Sequence, residues 1–331
     1  MIQIKAMSTM LKGAKMSLKT KVIGCGGAGS NIVEHLKNGF GENGYIEYLT
    51  MDSSDSNKKE GIKLFQIKEN TVEGKALSGS GGIRGENLEH YRPGVKEFIN
   101  TELLHNYDGV IYLVFSSSGA SGNILATLLL QEILPLKIPM CCVVVHDSST
   151  KKYAESSYKT METIFKTAVK NNCALPVVYF LNKNSNKITN DTILEEFSSI
   201  MKFHDTDNLK EIDNQDMKNF YNSIKYSSSI PAGVYSIATI KPEFVNNVIE
   251  KYEVIIGRCL TNDEDVLKNK GLEQSKHGIA NDKSEHVILL LNNFDRQYDS
   301  LKKALDTYNK EIKKHSISLS EDNITDDGIV L

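Results

Sequence analysis

Two short segments rich in glycine and serine carry the clearest chemistry in this sequence. Residues 24–31 read Gly-Cys-Gly-Gly-Ala-Gly-Ser-Asn, and residues 116–123 read Ser-Ser-Ser-Gly-Ala-Ser-Gly-Asn. Each segment follows an apolar strand pattern and opens a helix pattern, where backbone N–H groups and the positive end of a helix dipole can hold a phosphate. Two such loops in one α/β domain favour a ligand whose phosphates are gripped from two sides, such as a nucleoside triphosphate.

The first loop also fits a dinucleotide-binding fingerprint, Gly24-x-Gly26-x-x-Gly29, with Asp52 at the end of the next strand pattern as a ribose-binding acid. That fingerprint alone favours an NAD-binding domain, as in an NAD-dependent oxidoreductase. However, the rest of the chain has no evident hydride-transfer constellation, and the second loop has no role in such an enzyme. A further alternative is that the glycines only permit tight turns. The G-x-x-x-x-G-K-[ST] motif is absent from the sequence, which disfavours an ordinary P-loop enzyme.

Composition narrows the class of protein. The chain has 331 residues, of which 40% are hydrophobic and 24% charged, enough for two domains and a tail. A formal net charge of -3 gives no broad basic field, so any link to DNA would need an adaptor. The five cysteines lack C-x-x-C spacing and are predicted to be buried, reduced thiols. No apolar run is long enough to span a bilayer, and we expect a cytoplasmic protein with no membrane partner.

Strand and helix patterns alternate along the chain, which predicts a parallel sheet covered on both faces. Strands are predicted at residues 21–25, 45–51, 63–67, 109–115, 140–146, 177–181, 233–240 and 286–291. Helices are predicted at residues 30–38, 86–104, 121–134, 152–171, 189–204, 243–260 and from 294 onward, with a polar loop over 261–283. Ligands of such sheets bind at the carboxyl ends of the strands, which is where both glycine loops fall.

Residues 22–35 resemble the first nucleotide loop and helix of the FtsZ/tubulin superfamily of GTPases. Residues 116–123 are similar to a serine-substituted form of the G-G-G-T-G-[TS]-G loop of that family, as in divergent plasmid and phage members of the TubZ type. Residues 78–87 resemble the loop that senses the γ-phosphate, and a surface loop is the alternative interpretation there. The resemblance covers residues 21–240.

The resemblance implies a fold class and a division of the chain. The fold would be α/β, with a Rossmann-like parallel-sheet GTPase domain, a core helix, a smaller α+β C-terminal domain, and a C-terminal helix and tail. The implied segments are an N-terminal extension (1–19), a GTP-binding domain (20–187), the core helix (188–210), a C-terminal activation domain (211–293), the C-terminal helix (294–316) and an acidic tail (317–331).

The resemblance also implies GTP or GDP with Mg²⁺ as cofactors, and no metal site built from protein side chains. Asn190 would read the guanine, although a helix N-cap is an alternative role. Asn186 would lie against the base where the family often has an aromatic residue, and Glu155 would touch the ribose or remain a solvated carboxylate. The implied nucleotide-binding residues are Gly26, Gly27, Ala28, Gly29, Ser30, Asn31, Asp52, Gly81, Gly82, Ser118, Gly119, Ala120, Ser121, Gly122, Asn123, Glu155, Asn186 and Asn190.

Asp213 and Asp216 match the acidic pair that the family places after its core helix. The resemblance implies that head-to-tail contact inserts this pair over the γ-phosphate of the next subunit, where it polarises water and hydrolyses GTP to GDP and phosphate. Hydrolysis would then depend on assembly, and the heterologous contact would build filaments. An ordinary acidic helix start is the alternative interpretation of the pair.

The sequence is therefore identified as that of a tubulin-like GTPase forming cytoplasmic filaments that segregate plasmid or phage DNA. Its expected partners are further copies of itself and a DNA-binding adaptor held by the acidic tail, residues 321–331, without direct contact to nucleic acid. The alternatives are a phage spindle filament that positions DNA, an NAD-dependent oxidoreductase, and a nucleotide-binding filament without turnover.

Overall fold

A computed structural model describes residues 18–42, 44–67, 88–103, 107–182, 185–204, 212–225, 229–268, 270–272, 274–278 and 285–318. The predicted γ-phosphate loop with Gly81 and Gly82, residues 1–17 and residues 319–331 lie outside the described part. The ten strands are β1 (Thr20–Cys25), β2 (Ile46–Asp52), β3 (Lys63–Gln66), β4 (Val110–Ser116), β5 (Met140–His146), β6 (Ala174–Leu181), β7 (Gly233–Ile240), β8 (Glu253–Leu260), β9 (Gln274–Gly278) and β10 (His286–Asn292).

All ten strands belong to one sheet, in the order β3-β2-β1-β4-β5-β6-β7-β10-β8-β9. The strands from β3 across to β7 are parallel, whereas β10 runs antiparallel to β7 and β8, and β9 is parallel to β8. The mixed α/β fold with a mostly parallel sheet confirms the predicted fold class. The sheet continues across the predicted domain boundary through the β6–β7 pairing, and the division into domains stays a prediction.

Helices cover both faces of the sheet. They are α1 (Gly26–Phe40), α2 (Leu88–Phe98), α3 (Ser121–Ile133), α4 (Lys151–Lys170), α5 (Asn186–Met201), α6 (Asn214–Tyr221), α7 (Val245–Ile249) and α8 (Phe294–Ser318). Helices α1 and α5 pack on one face, whereas α2, α3, α4 and the start of α8 pack on the other. The central strands are apolar throughout because both of their faces are buried.

The C-terminal third departs from the predicted secondary structure. The helix predicted over residues 243–260 is wrong, since only the short α7 forms there and β8 follows it. Residues 254–260 are all buried, so they lack the alternation that marks a half-exposed strand. The predicted polar loop at 261–283 contains β9. Helix α1 begins at Gly26, earlier than predicted, so the first glycine loop is the first turn of a helix.

Helix α8 lies along α4, with aromatic rings between them. Phe294 stacks on Phe165 with ring centroids 4.9 Å apart, and Tyr298 stacks on Tyr158 at 4.6 Å. Further along α8, the Tyr308 hydroxyl donates a hydrogen bond to the carbonyl of Ser148, just before α4 begins. The two helices therefore run antiparallel, and α8 advances toward the carboxyl edge of the sheet. Within the described part of the chain, no helix is both long and apolar enough to cross a membrane.

Candidate functional site

The two glycine loops meet at the carboxyl edge of the sheet. Gly26, which follows β1, has a φ of +70°, in the left-handed region that favours glycine. A Cβ on Gly26 would lie 2.6 Å from the Cα of Gly122, and a Cβ on Gly122 would lie 2.6 Å from the carbonyl oxygen of Cys25. Backbone therefore touches backbone between the start of α1 and the start of α3, and no larger side chain fits at the contact.

Both helices that start at this contact lack a side-chain N-cap and have no acidic residue in the first turn. In contrast, Thr150 caps α4, Ser185 caps α5 and Asp213 caps α6. The first N–H groups of a helix have no partner within the helix, and they carry its positive partial charge. The first turns of α1 and α3 can therefore bind an anion from two sides.

A cavity of about 510 Å³ opens over these two turns. Lys152 and Lys159 on α4 add positive charge to its wall. The predicted residues that line it are Gly27, Ala28, Ser118, Gly119, Ala120, Ser121, Gly122 and Glu155. This cavity, which we call the phosphate-side cavity, has the donors and charge expected of a phosphate site.

A second cavity of about 460 Å³ shares a wall with the first. It is lined by Asn31 of α1, by Asn182, which follows β6, and by Asn186 and Asn190 in the first two turns of α5. Amides offer both a donor and an acceptor, so this base-side cavity can complement the edge of a purine. Both volumes lie within the roughly 300–1,000 Å³ typical of small-molecule sites.

Asn190 lies in the second turn of α5 and does not cap the helix. The N-cap is Ser185, whose hydroxyl accepts a hydrogen bond from the backbone N–H of Ile188 at 3.1 Å. The N-cap alternative for Asn190 is therefore wrong, and its side chain lines the base-side cavity. Asn186 also lines this cavity, where its side-chain oxygen accepts a hydrogen bond from Asn182 at 3.1 Å.

Five predicted residues lie behind the cavity walls: Gly26, Gly29, Ser30, Asp52 and Asn123. The Asn123 amide nitrogen lies within hydrogen-bonding distance of three acceptors: the Ser117 carbonyl at 3.1 Å, the Ser156 hydroxyl at 2.9 Å and the Gly119 carbonyl. Asn123 is buried and holds the second glycine loop in shape. Its role in the structure is to support the loop.

Asp52 is 2% exposed and is engaged within the protein. Its carboxylate accepts hydrogen bonds from the backbone N–H of Ser53 at 2.7 Å and from the side-chain amide of Asn57 at 2.6 Å. Asn57 in turn lies against the first loop, because a Cβ on Gly27 would come 3.0 Å from its side-chain oxygen. Asp52 therefore contacts the first glycine loop indirectly, through the side chain of Asn57. The sequence analysis did not single out Asn57.

Helix α4 contributes four more of the residues that were missed. Lys152, Tyr153, Ser156 and Lys159 line the phosphate-side cavity, and Tyr153 also lines the base-side cavity. Their position near the cavities could have been predicted, since α4 follows β5 at the same edge of the sheet as the glycine loops. Lys159 pairs with Glu155 at 2.6 Å, and its hydrogen bond and charge hold the pKa of that carboxyl below its usual value.

The acidic pair lies at the opposite edge of the sheet. The buried imidazole of His204, which follows α5, contacts the Thr20 hydroxyl at the first residue of β1 at 3.1 Å and the Tyr221 hydroxyl at the end of α6 at 3.3 Å. Lys218 of α6 forms an ion pair with Asp108, which precedes β4. Helix α6 is thus held at the amino ends of β1 and β4, whereas the cavities lie at their carboxyl ends.

Asp213 and Asp216 form a capping box at the start of α6. The Asp213 carboxylate accepts a hydrogen bond from the backbone N–H of Asp216 at 2.8 Å, and Asp216 accepts one from the N–H of Asp213 at 3.2 Å. Asp213 remains exposed. The fully buried Arg258 donates to the Asp216 carbonyl at 3.3 Å. The helix-start interpretation of the pair is confirmed, and the same geometry presents an ordered acid at the surface.

Comparisons with solved structures identify the fold. The phage tubulin PhuZ bound to GDP superposes with a TM-score of 0.76 at 18% identity, covering 95% of this chain and all of that one. A protofilament subunit of TubZ from bacteriophage PhiKZ gives 0.73 at 17% identity, with the same coverage of both chains.

This chain has the tubulin/FtsZ fold. CetZ2 from Haloferax volcanii, in a GTPγS-bound protofilament, also shares it, with a TM-score of 0.57 at 14% identity over 88% of this chain and 99% of that one. No protein-family model and no curated protein matches the sequence. The tubulin/FtsZ fold is therefore recognised from the three-dimensional structure and not from sequence similarity. In this structure, both glycine loops lie beside one pair of adjoining cavities.

Proposed function

We propose that this protein is a GTPase that assembles head-to-tail into cytoplasmic filaments, with Asp213 and Asp216 of one subunit completing the nucleotide site of the next. One observation carries the proposal: the paired glycine loops lie at one edge of the sheet, and an acidic pair, of which Asp213 is exposed and Asp216 half-buried, lies at the other. The solved neighbours support it, since PhuZ is bound to GDP, CetZ2 forms a GTPγS-bound protofilament and TubZ forms a protofilament.

The cavities themselves offer no suitable general base among the described residues. Glu155 is paired with Lys159, and the lowered pKa makes it a weak proton acceptor. Asp147 lines the base-side cavity and is not among the residues that line the phosphate-side cavity. A neighbouring subunit is therefore the better source of an acid to orient the attacking water.

The other parts of phosphoryl transfer are supplied within one subunit. Backbone N–H groups of α1 and α3 would hold the phosphates, and Lys152 would offset part of their charge, since Lys159 is paired with Glu155. The described residues contain no group of three metal-ligating side chains. Bound Mg²⁺ would neutralise charge on the β- and γ-phosphates, and oxygen atoms of the nucleotide would be among its ligands.

The proposal is tested by replacing both acids with asparagine, in the variant Asp213→Asn/Asp216→Asn. The two introduced amides retain side-chain oxygens that can accept the capping hydrogen bonds, so α6 should fold as before. Removing the carboxylates should lower GTP turnover by about 100-fold or more, as expected for loss of a general base. The measurement is phosphate release per subunit against protein concentration, with GTP and ATP compared and filaments followed by light scattering.

The matched control is Asp306→Asn, which removes an exposed acid from α8. It should retain wild-type turnover. Wild-type phosphate release should favour GTP and rise above a threshold concentration. A rate per subunit that is independent of concentration, or full turnover in the Asp213→Asn/Asp216→Asn variant, would contradict the shared site. Filaments with no turnover would support the purely structural alternative.

We further propose that the filaments move or position plasmid or phage DNA, because two of the similar structures are phage proteins. The acidic tail would bind a DNA-binding adaptor. Deleting residues 320–331 should leave polymerisation intact and separate the filaments from DNA in cells, as seen by imaging both together. Filaments of the truncated protein that still follow DNA would contradict the adaptor role. The oxidoreductase alternative is disfavoured by the burial and internal bonding of Asp52.

A further inference from the structure

Tyr153 is an unusual residue in the wall between the two cavities. Among the described residues that line them, it is the only aromatic side chain, and it borders both. It remains 41% exposed, although most large apolar side chains of the described chain are buried. An exposed aromatic ring in a concave site provides a flat surface for an apolar ligand face.

The position of this ring is fixed by the start of α4. The Thr150 hydroxyl accepts a hydrogen bond from the Tyr153 backbone N–H at 3.2 Å, which places Tyr153 in the first turn of the helix. The preceding turn is itself closed by Asp147, which binds the N–H of Ser149, and is braced by the Tyr308 hydroxyl on Ser148. The ring is therefore carried by an ordered backbone.

The other wall of the base-side cavity is made of amides. Asn182, Asn186 and Asn190 present donors and acceptors that suit the edge of a base, but none provides a flat apolar surface. Position 186, where the FtsZ/tubulin family often has an aromatic residue against the base, is an asparagine here. A planar heterocycle in this cavity would meet amides from α5 and the Tyr153 ring from α4.

We infer that Tyr153 stacks on the base of the bound nucleotide and supplies affinity without selecting guanine. The inference rests on the proposed function, since it needs a nucleotide in these cavities. Every base has a π-face, so stacking strengthens binding of GTP, GDP and ATP alike. Selection between bases would then fall to the amides of α5, which read the edge.

The chain provides a direct reporter, because it has no tryptophan. In Tyr153→Trp, the single indole lies at the proposed stacking position, and GDP should quench its fluorescence in a saturable way. The control is Tyr45→Trp. Tyr45 is 40% exposed and precedes the first residue of β2, at the opposite edge of the sheet. Titrations are done below the concentration at which light scattering detects assembly, and the control should not respond.

Equilibrium dialysis of GDP, GTP and ATP on the wild type, Tyr153→Phe and Tyr153→Ala completes the test. Tyr153→Ala should weaken all three by a similar factor, about 10-fold or more, whereas Tyr153→Phe stays close to the wild type. If Tyr153→Trp binds GDP without a change in indole fluorescence, or if Tyr153→Ala binds as well as the wild type, the stacking role is wrong. If the wild type binds no nucleotide, the proposed function itself fails.

Discussion

At the scale of single residues, two buried histidines carry information about acid stability. His146 ends β5 with its ring 5.8 Å from that of Tyr179, and burial lowers its pKa from 6.5 to about 4. His204 is completely buried among Thr20, Tyr112 and Tyr221, and burial lowers its pKa to about 3. Both rings are neutral in the folded protein at neutral pH.

We predict that the free energy of unfolding decreases as the pH falls below about 6.5. The unfolded chain then takes up protons at both histidines, while the folded protein does not until the pH approaches 4 and 3. Their contribution to stability is thus full above pH 6.5 and decreases toward acid, by up to about 1.4 kcal/mol per pH unit for each histidine. Urea unfolding at a series of pH values measures the slope.

His146→Phe separates this effect from the titration of carboxylates. The buried Nδ1 atom of His146 has no hydrogen-bond partner among the described residues, so a phenyl ring leaves no new unsatisfied group there. The variant should show a shallower decrease between pH 6.5 and 4 than the wild type. An unchanged slope would mean that His146 is protonated in the folded protein.

The residue scale also shows what the sequence could predict. Residue types at the ends of strands indicated the two loops, and five free, buried cysteines confirm the expected thiols. The sequence did not separate residues that face the cavities from those that support them. Asp52 and Asn123 are polar and lie in the predicted motifs, but each turns its side chain toward the backbone of a loop. Side-chain direction depends on packing that no local pattern contains.

At the scale of elements, the contact between β1, α1 and β4 sets the shape of the first loop. A Cβ on Gly29 would lie 2.4 Å from the carbonyl oxygen of Val114 in β4. We predict that Gly29→Ala destabilises the fold by about 2 kcal/mol or more, because α1 must move away from the sheet. Thermal and urea unfolding measure the loss.

Gly119→Ala is the matched control within the other glycine loop. A Cβ there would meet no atom of the described residues within 4 Å, so the variant should unfold like the wild type. Equal stability of Gly29→Ala and the wild type would show that the helix is free to shift without cost. The two glycines look alike in sequence, and only the distance to β4 distinguishes them.

The segment 243–260 shows where an element could not be predicted. Its apolar residues recur at Val245, Val248 and Ile249, a spacing that suits a helix, and a short helix does form there. The following strand β8 lies between β10 and β9 and is buried on both faces. The short apolar run at residues 254–256 fits a buried helix or a buried strand equally well, so neighbouring strands decided the outcome.

At the scale of the whole molecule, the proposed site is divided between two subunits, and this can be tested by mixing. Gly119→Asp places a negative charge in open space at the phosphate-side cavity, so it should fold and repel nucleotide. Asp213→Asn/Asp216→Asn retains the cavity and lacks the acids. Each variant alone should be nearly inactive. An equimolar mixture should recover about a quarter of the wild-type rate, because random head-to-tail assembly restores that share of contacts.

Sedimentation of the two variants, distinguished by an affinity tag, verifies that both enter the same filaments. Recovery of phosphate release in the mixture would support a site shared between subunits. If the two variants sediment together and no activity returns, the acids act within their own subunit or are not catalytic. Asp306→Asn in place of the acid variant gives the reference for an intact partner.

Because the cavities and α6 lie at opposite edges of one sheet, the proposed contact between subunits would also determine when each subunit hydrolyses its nucleotide. In a filament built on the proposed head-to-tail contact, the subunit at the end where a cavity is exposed has no acid from a neighbour over that cavity. Its triphosphate would survive until a further subunit is added at that end, and hydrolysis would begin only then. Hydrolysis in each subunit would thus be triggered by the addition of the next subunit. The ratio of triphosphate to diphosphate along a filament that grows at this end would then record the order in which its subunits were added.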